Sequence, residues 1–196
     1  FVRGGESGQN LVLFNDAPVY QPSHLLGFFS IFNTGHISYL QLQKNGMESQ
    51  YGGRLSSVLL VKSTDTIPEK ISISGNIGIL ASQATLSIPL GNKYALYVSA
   101  RKTYMNLILN PLLSGLGAIS DDGESFNYDF QDYNLSFIAR PSKKDIITLH
   151  SYFGADKFKL EQDEYQLTGK MNWNNLAASL QWKHNWNIDK SFRQVI

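Results

Sequence analysis

The sequence predicts a mainly β chain in two parts. A small mixed α+β front part covers residues 1–66, and about seven antiparallel strands follow over residues 67–196. Three observations carry this. From Lys70 onward the apolar residues recur at every second position. Before it the apolar residues come in short continuous runs punctuated by Gly and Pro. Tight turns and longer links then take turns along the second part.

In the front part, Leu11-Val12-Leu13-Phe14 and Val58-Leu59-Leu60-Val61 read as strands buried on both faces. Pro18 and Pro22 frame a loop. Ser23 is placed to cap a short helix through Phe32, ended by Asn33-Thr34-Gly35. A strand from Ile37 leads to an Asn45-Gly46 turn. Tyr51-Gly52-Gly53-Arg54 is a bend whose glycines allow dihedrals that a side chain forbids. Asp65 to Glu69, with Pro68, reads as a linker.

In the second part, Ile71, Ile73, Ile77 and Ile79 alternate with Ser72, Ser74, Asn76 and Gly78. The same pattern runs through Leu86–Leu90, Tyr94–Ala100, Tyr133–Phe137, Ile147–Phe153 and Leu176–Trp182, and Phe192 opens a last strand. Each strand has one greasy face and one polar face. Gly91-Asn92-Lys93, Pro141–Asp145 and Asn187–Lys190 read as tight turns. The links from Lys102 to about Ser125 and from Lys159 to about Asn172 read as long. Met105–Leu116 suggests a short helix in the first of these, bent at Pro111, with Leu107, Ile108, Leu112 and Leu113 packed on a neighbour.

The alternation fits a transmembrane barrel with its greasy face outward, and equally a soluble β-sandwich with that face inward. The alternating link lengths favour the barrel, whose short turns and long loops lie at opposite ends. Composition is compatible with both. Net charge is +1 over 196 residues, which gives no basic field for nucleic acid. Charged residues are 17%, and the chain has ten Tyr, eleven Phe and no Cys, so disulfides and Cys-based zinc sites are excluded. No stretch approaches the roughly 18 apolar residues of a spanning helix. The chain begins Phe1-Val2-Arg3, without Met or a leader; if it is exported, either the leader has been removed or the chain is an excerpt.

The segment Ile37–Ser63, centred on Tyr51-Gly52-Gly53-Arg54, resembles the end of the plug domain of TonB-dependent outer-membrane receptors of the Bacteroidetes type. Upstream, Val2-Arg3-Gly4-Gly5, Leu11–Tyr20 and His24–Ser30 are similar to earlier plug segments. Ser99–Tyr104, Phe126–Leu135, Tyr152–Asp156 and Trp173–Trp182 are similar to successive barrel segments. Ala17 and Asn45 depart from the pattern, which has Gly at both places. The resemblance implies the C-terminal part of a plug (1–66), then the N-terminal portion of a transmembrane β-barrel (67–196), where such receptors have about 22 strands.

It also implies a Gram-negative outer-membrane location, lipid contact, a small nutrient ligand and TonB engaged through a segment outside this chain. A lipoprotein lid is a further possible partner; no nucleic acid is expected. Tyr20, Gln21, His24 and Phe28 become candidate ligand contacts. Arg3 and Arg54 become candidates for pairing plug to barrel through carboxylates. No catalytic residue, metal site or cofactor is expected. The four His (24, 36, 150, 184) are scattered, and no H-E-x-x-H is present. Gly4–Gly8 lacks the Lys of a phosphate loop. Asp121-Asp122-Gly123-Glu124 has too few ligands for a Ca²⁺ loop. The expected function is nutrient import by energised plug remodelling. The alternatives are a plugged barrel serving as a structural or assembly partner, and a soluble β-sandwich binding module.

Overall fold

Two-residue alternation from residue 72 to residue 195 builds one large sheet. A computed structural model describes residues 7–24, 27–44, 48–54, 56–117, 125–162, 167–187 and 190–196. The large sheet is formed by β7 (Ser72–Ile77), β8 (Ala81–Leu90), β9 (Tyr94–Thr103), β10 (Ser125–Ala139), β11 (Asp145–Gln162), β12 (Leu167–Asn185) and β13 (Ser191–Val195). Each strand pairs antiparallel with the next in chain order. The sheet is open, with β7 and β13 as its edges. The chain is therefore mainly β, with large antiparallel pairing, as the periodicity predicts.

The front part forms a smaller mixed sheet. β1 (Asn10–Phe14) and β6 (Ser57–Ser63) are parallel neighbours at its centre, flanked by β2 (Ala17–Pro18) and β5 (Ile37–Gln43). Both central strands are apolar on both faces because both faces are covered. Val12, Phe14 and Val61 join Val19, Ile31, Tyr152 and Ala177 in one core, so this face meets the large sheet. Leu13, Val58 and Leu60 form a second core beneath Tyr51. Gly53 adopts φ +80°, the left-handed conformation expected of the bend.

The faces of the large sheet are used in an inverted sense. In β9, Ala95, Tyr97, Ser99 and Thr103 are buried, while Tyr94 and Val98 are exposed. In β10, Asp132, Asn134 and Ser136 are buried, while Tyr133 and Leu135 are exposed. In β11, Thr148, His150 and Tyr152 are buried, and Leu149 and Phe153 exposed. The polar face carries the front part, and the apolar face is left bare.

Several expectations are corrected. Ser23 does not cap a helix: β3 (Ser23–His24) pairs antiparallel with β4 (Phe29–Ser30), and Gly27 at φ +114° turns the chain between them. No α-helix occurs among the described residues of the front part, which holds strands and a 3-10 turn at Ser7–Gln9. The link from Lys159 to Asn172 is mostly strand. β11 and β12 stay paired out to Gln162↔Leu167, because charged and polar residues on both faces lengthen a hairpin without needing a core. The helix α1 (Asn106–Gly115) forms in the other link with Pro111 inside it, but Leu107 and Leu112 are exposed rather than packed. Asn45-Gly46, Gly4, Gly5 and Asp121–Glu124 lie outside the described residues.

Candidate functional site: the polar contact between the two sheets

The polar face of the large sheet is attached to the front part by three groups of side chains. The first surrounds His24. Its Nδ1 lies 2.8 and 2.9 Å from the two oxygens of Asp156, and its Nε2 lies 2.8 Å from Asp132 Oδ1. All three side chains are shielded from solvent. With a carboxylate at each nitrogen, both nitrogens donate, and the ring is an imidazolium. Burial pulls the His24 pKa down, but the bonds to Asp132 and Asp156 outweigh it and hold it above the ordinary value.

The rest of this group completes the charge balance. Arg101 Nε donates to Asp132 Oδ2 at 2.7 Å, and Arg101 Nη2 donates to the Ser30 carbonyl at 2.6 Å. Two carboxylates thus face two cations, which is the condition for tolerating buried charge. Tyr152 donates to Asp132 at 2.7 Å, and Tyr128 donates to Asp156. Phe130 stacks on the His24 ring at 4.2 Å and 9°. Gly154, paired opposite Asp132, leaves room for the Tyr152–Asp132 bond: a Cβ there would overlap the Tyr152 hydroxyl. A missing side chain under a neighbouring aromatic ring is a known device of curved sheets.

The second group is uncharged. His36 Nδ1 lies 2.8 Å from Ser99 Oγ, and Nε2 lies 2.7 Å from Ser136 Oγ. Ser136 also meets His150 Nδ1 at 2.7 Å, and Ser99 meets Thr85 at 3.0 Å. Burial, with a smaller repulsion from His150, lowers the His36 pKa to about 4, so this ring is neutral near pH 7. Gly35 lies against Thr85, where a Cβ would come within 2.6 Å of the hydroxyl.

The third group lies toward the tight-turn end. Asp16 accepts from Gln181 at 3.0 Å and pairs with Arg193, and Lys62 stands 3.9 Å away. Beside it a cavity of about 460 Å³ separates the sheets, lined in part by Lys62, Asp65, His150, Lys183 and Arg193. The linker crosses here too: Tyr97 donates to the Thr66 carbonyl and Arg140 to that of Asp65, each at 3.0 Å.

The four residues expected to contact ligand are divided by the structure. Tyr20 and Phe28 are exposed. Gln21 is half-buried and its carbonyl accepts from Asn175. His24 faces the large sheet and has no solvent-accessible edge. Tyr20 and Arg54 border one crevice of about 30 Å³, the size of a water molecule. Arg3 lies outside the described residues. Arg54 donates to the carbonyl of its neighbour Gly53 at 3.1 Å, and among the described residues no carboxylate pairs with it. Among the described residues, the arginines that join the two parts are Arg101 and Arg193 of the large sheet and Arg140, just after β10. Their partners lie far away in sequence, so local motifs do not reveal them. The available signal was a strand face rich in polar and charged residues.

Among the described residues no group of three or more His, Asp or Glu is placed to hold a metal ion. No helix among them is long and apolar enough to cross a membrane, which leaves strands untested. No protein-family description, curated protein or solved structure matches the chain.

Proposed function

We propose that the chain is part of a TonB-dependent outer-membrane receptor, with residues 1–66 belonging to the plug and residues 67–196 to the barrel wall. A nutrient binds from outside, and energised remodelling of the plug opens its path. One observation carries the membrane part of this reading: the sheet presents its apolar face outward and buries its polar face. A soluble two-layer β protein gains stability by the opposite choice, roughly 25 cal/mol for each Å² of apolar surface removed from water. Leu176, Leu180, Leu149 and Phe153 forgo that gain unless acyl chains cover them.

The import part of the reading is supported by the fastening. Hydrogen bonds and ion pairs between plug and wall are specific, and water or a shifted charge can replace them one by one. The same fastening favours a second reading, in which the plug stays in place and the barrel serves as an assembly partner.

Two measurements test this. In lipid vesicles, bromine on the acyl chains should quench Trp182, on the bare face, and spare Trp173, on the covered face. Equal quenching of both, or of neither, removes the membrane reading. Uptake by the full-length protein should cease without TonB; uptake that persists removes the import mechanism, and an assembly role that survives TonB loss supports the second reading.

A further inference from the structure

At the tight-turn end of β12, on the outward face, four aromatic rings close a circuit. Trp182 meets His184 at 6.3 Å and 65°, and His184 meets Trp186 at 5.2 Å and 68°. Trp186 meets Phe192 at 6.4 Å and 56°, and Phe192 meets Trp182 at 5.9 Å and 72°. Every neighbouring pair stands at a steep angle, so the rings form walls rather than a stack. The register builds this arrangement. Trp182 and His184 occupy alternate positions of β12, Phe192 of β13 is paired opposite His184, and the Trp186 N–H is held by the Lys190 carbonyl at 3.0 Å.

A carboxylate stands behind two of the walls. Asp145 Oδ1 accepts from Trp182 Nε1 at 3.0 Å and from His184 Nδ1 at 2.7 Å, and Ser142 donates to its Oδ2 at 2.6 Å. The rings are thereby fixed in orientation and a negative charge is placed beside them. Trp182, Trp186 and Phe192 nevertheless keep 43%, 57% and 42% of their surface open. Exposed aromatic rings with a carboxylate beside them are the chemistry that holds an ammonium group, which is attracted within about 6 Å of a ring centroid. Around them, Lys143, Lys144 and Lys190 in the adjoining turns are exposed.

We propose that this box receives the ammonium of an ethanolamine phospholipid headgroup, while the turn lysines take its phosphate. The charge order, a carboxylate behind the rings and lysine ammonium groups in the adjoining turns, matches a zwitterionic headgroup rather than an anionic one. The box continues the face that carries Leu176 and Leu180, so its occupant arrives with its acyl chains along that face. In that respect the inference rests on the membrane reading above. An ordinary belt of interfacial aromatics would show no headgroup preference. The same face offers a comparison: Tyr94 and Phe137 stack nearly parallel at 6.2 Å and 13°, with no enclosure.

The full-length protein is placed in bilayers of ethanolamine and glycerol phospholipids, equimolar and identical in acyl chains. Lipids that stay bound after extraction are then identified by mass. Ethanolamine lipid should be enriched about fivefold. Phe192→Leu and Trp186→Leu should each abolish the enrichment, and Tyr94→Leu should retain it. Equal retention of both lipids overturns the proposal, as does enrichment that survives both box substitutions or is lost with Tyr94→Leu. Acyl-chain quenching of Trp182 in the same bilayers separates the two ideas. Quenching without headgroup preference ends the box alone, and absence of quenching ends the membrane reading with it.

Discussion

At the residue scale, His24 ties three strands together, because β3 supplies the ring and β10 and β11 supply its two carboxylates. Asp132 is the most heavily engaged partner, accepting from His24, Tyr152 and Arg101. Asp132→Asn leaves buried His24 and partly buried Arg101 short of a counter-charge and should weaken the folded state by roughly 3–5 kcal/mol. Denaturant unfolding of the full chain measures this.

The two histidines of the front part also give opposite pH dependences. His36 has a folded pKa of about 4 against an ordinary 6.5, so its contribution is complete above about pH 6.5 and lost as pH falls toward 4. His24 is raised, so its contribution is complete below its unfolded pKa and lost as pH rises through the folded one. Stability measured against pH should therefore fall less on acidification in His36→Gln than in the parent, and less on alkalinisation in His24→Gln. Neither histidine was legible as an interface residue. Their partners lie 63 to 132 positions away, and nothing local distinguishes a buried His from a loop His.

Among the elements, the strands were the legible part. Alternation predicted the start of β9, the body of β11 and the outward face of β12, because one side chain in two must face each side whatever the tertiary context. Short pieces were not legible. Ser23 to Phe32 carries a capping residue and apolar spacing, yet Gly27 at positive φ and the demands of the His24 group draw it into a hairpin. The α1 helix was anticipated, but Pro111 inside it removes the bond to the Leu107 carbonyl. Pro111→Ala should restore that bond and slow amide exchange across α1, gaining up to about 3 kcal/mol locally. Hydrogen exchange at residues 108–113 checks it. The site was legible only as a face: alternation separates a polar from an apolar side, and which side is covered, and which groups pair across it, needs the fold.

For the whole molecule, the two sheets differ in how they hold together. The small sheet has strands of two to seven residues, whereas β11 and β12 run to 18 and 19 residues with a continuous ladder between them. Their mutual contact mixes an apolar core at Val12, Phe14 and Tyr152 with the polar groups described above. The small sheet should therefore come loose first. With rising urea, amides of β1 and β6 should exchange before those of β10 and β11; simultaneous exchange would mean that the sheets unfold as one unit.

The pairing of two carboxylates with two cations has an electrical corollary. If residues 1–66 are displaced as proposed, His24 goes with them, whereas Asp132, Asp156 and Arg101 stay with the large sheet. Withdrawing that segment leaves the exposed lining with one uncompensated negative charge. The vacated space then attracts a proton, a metal cation or the departing imidazolium itself, so displacement generates its own restoring pull.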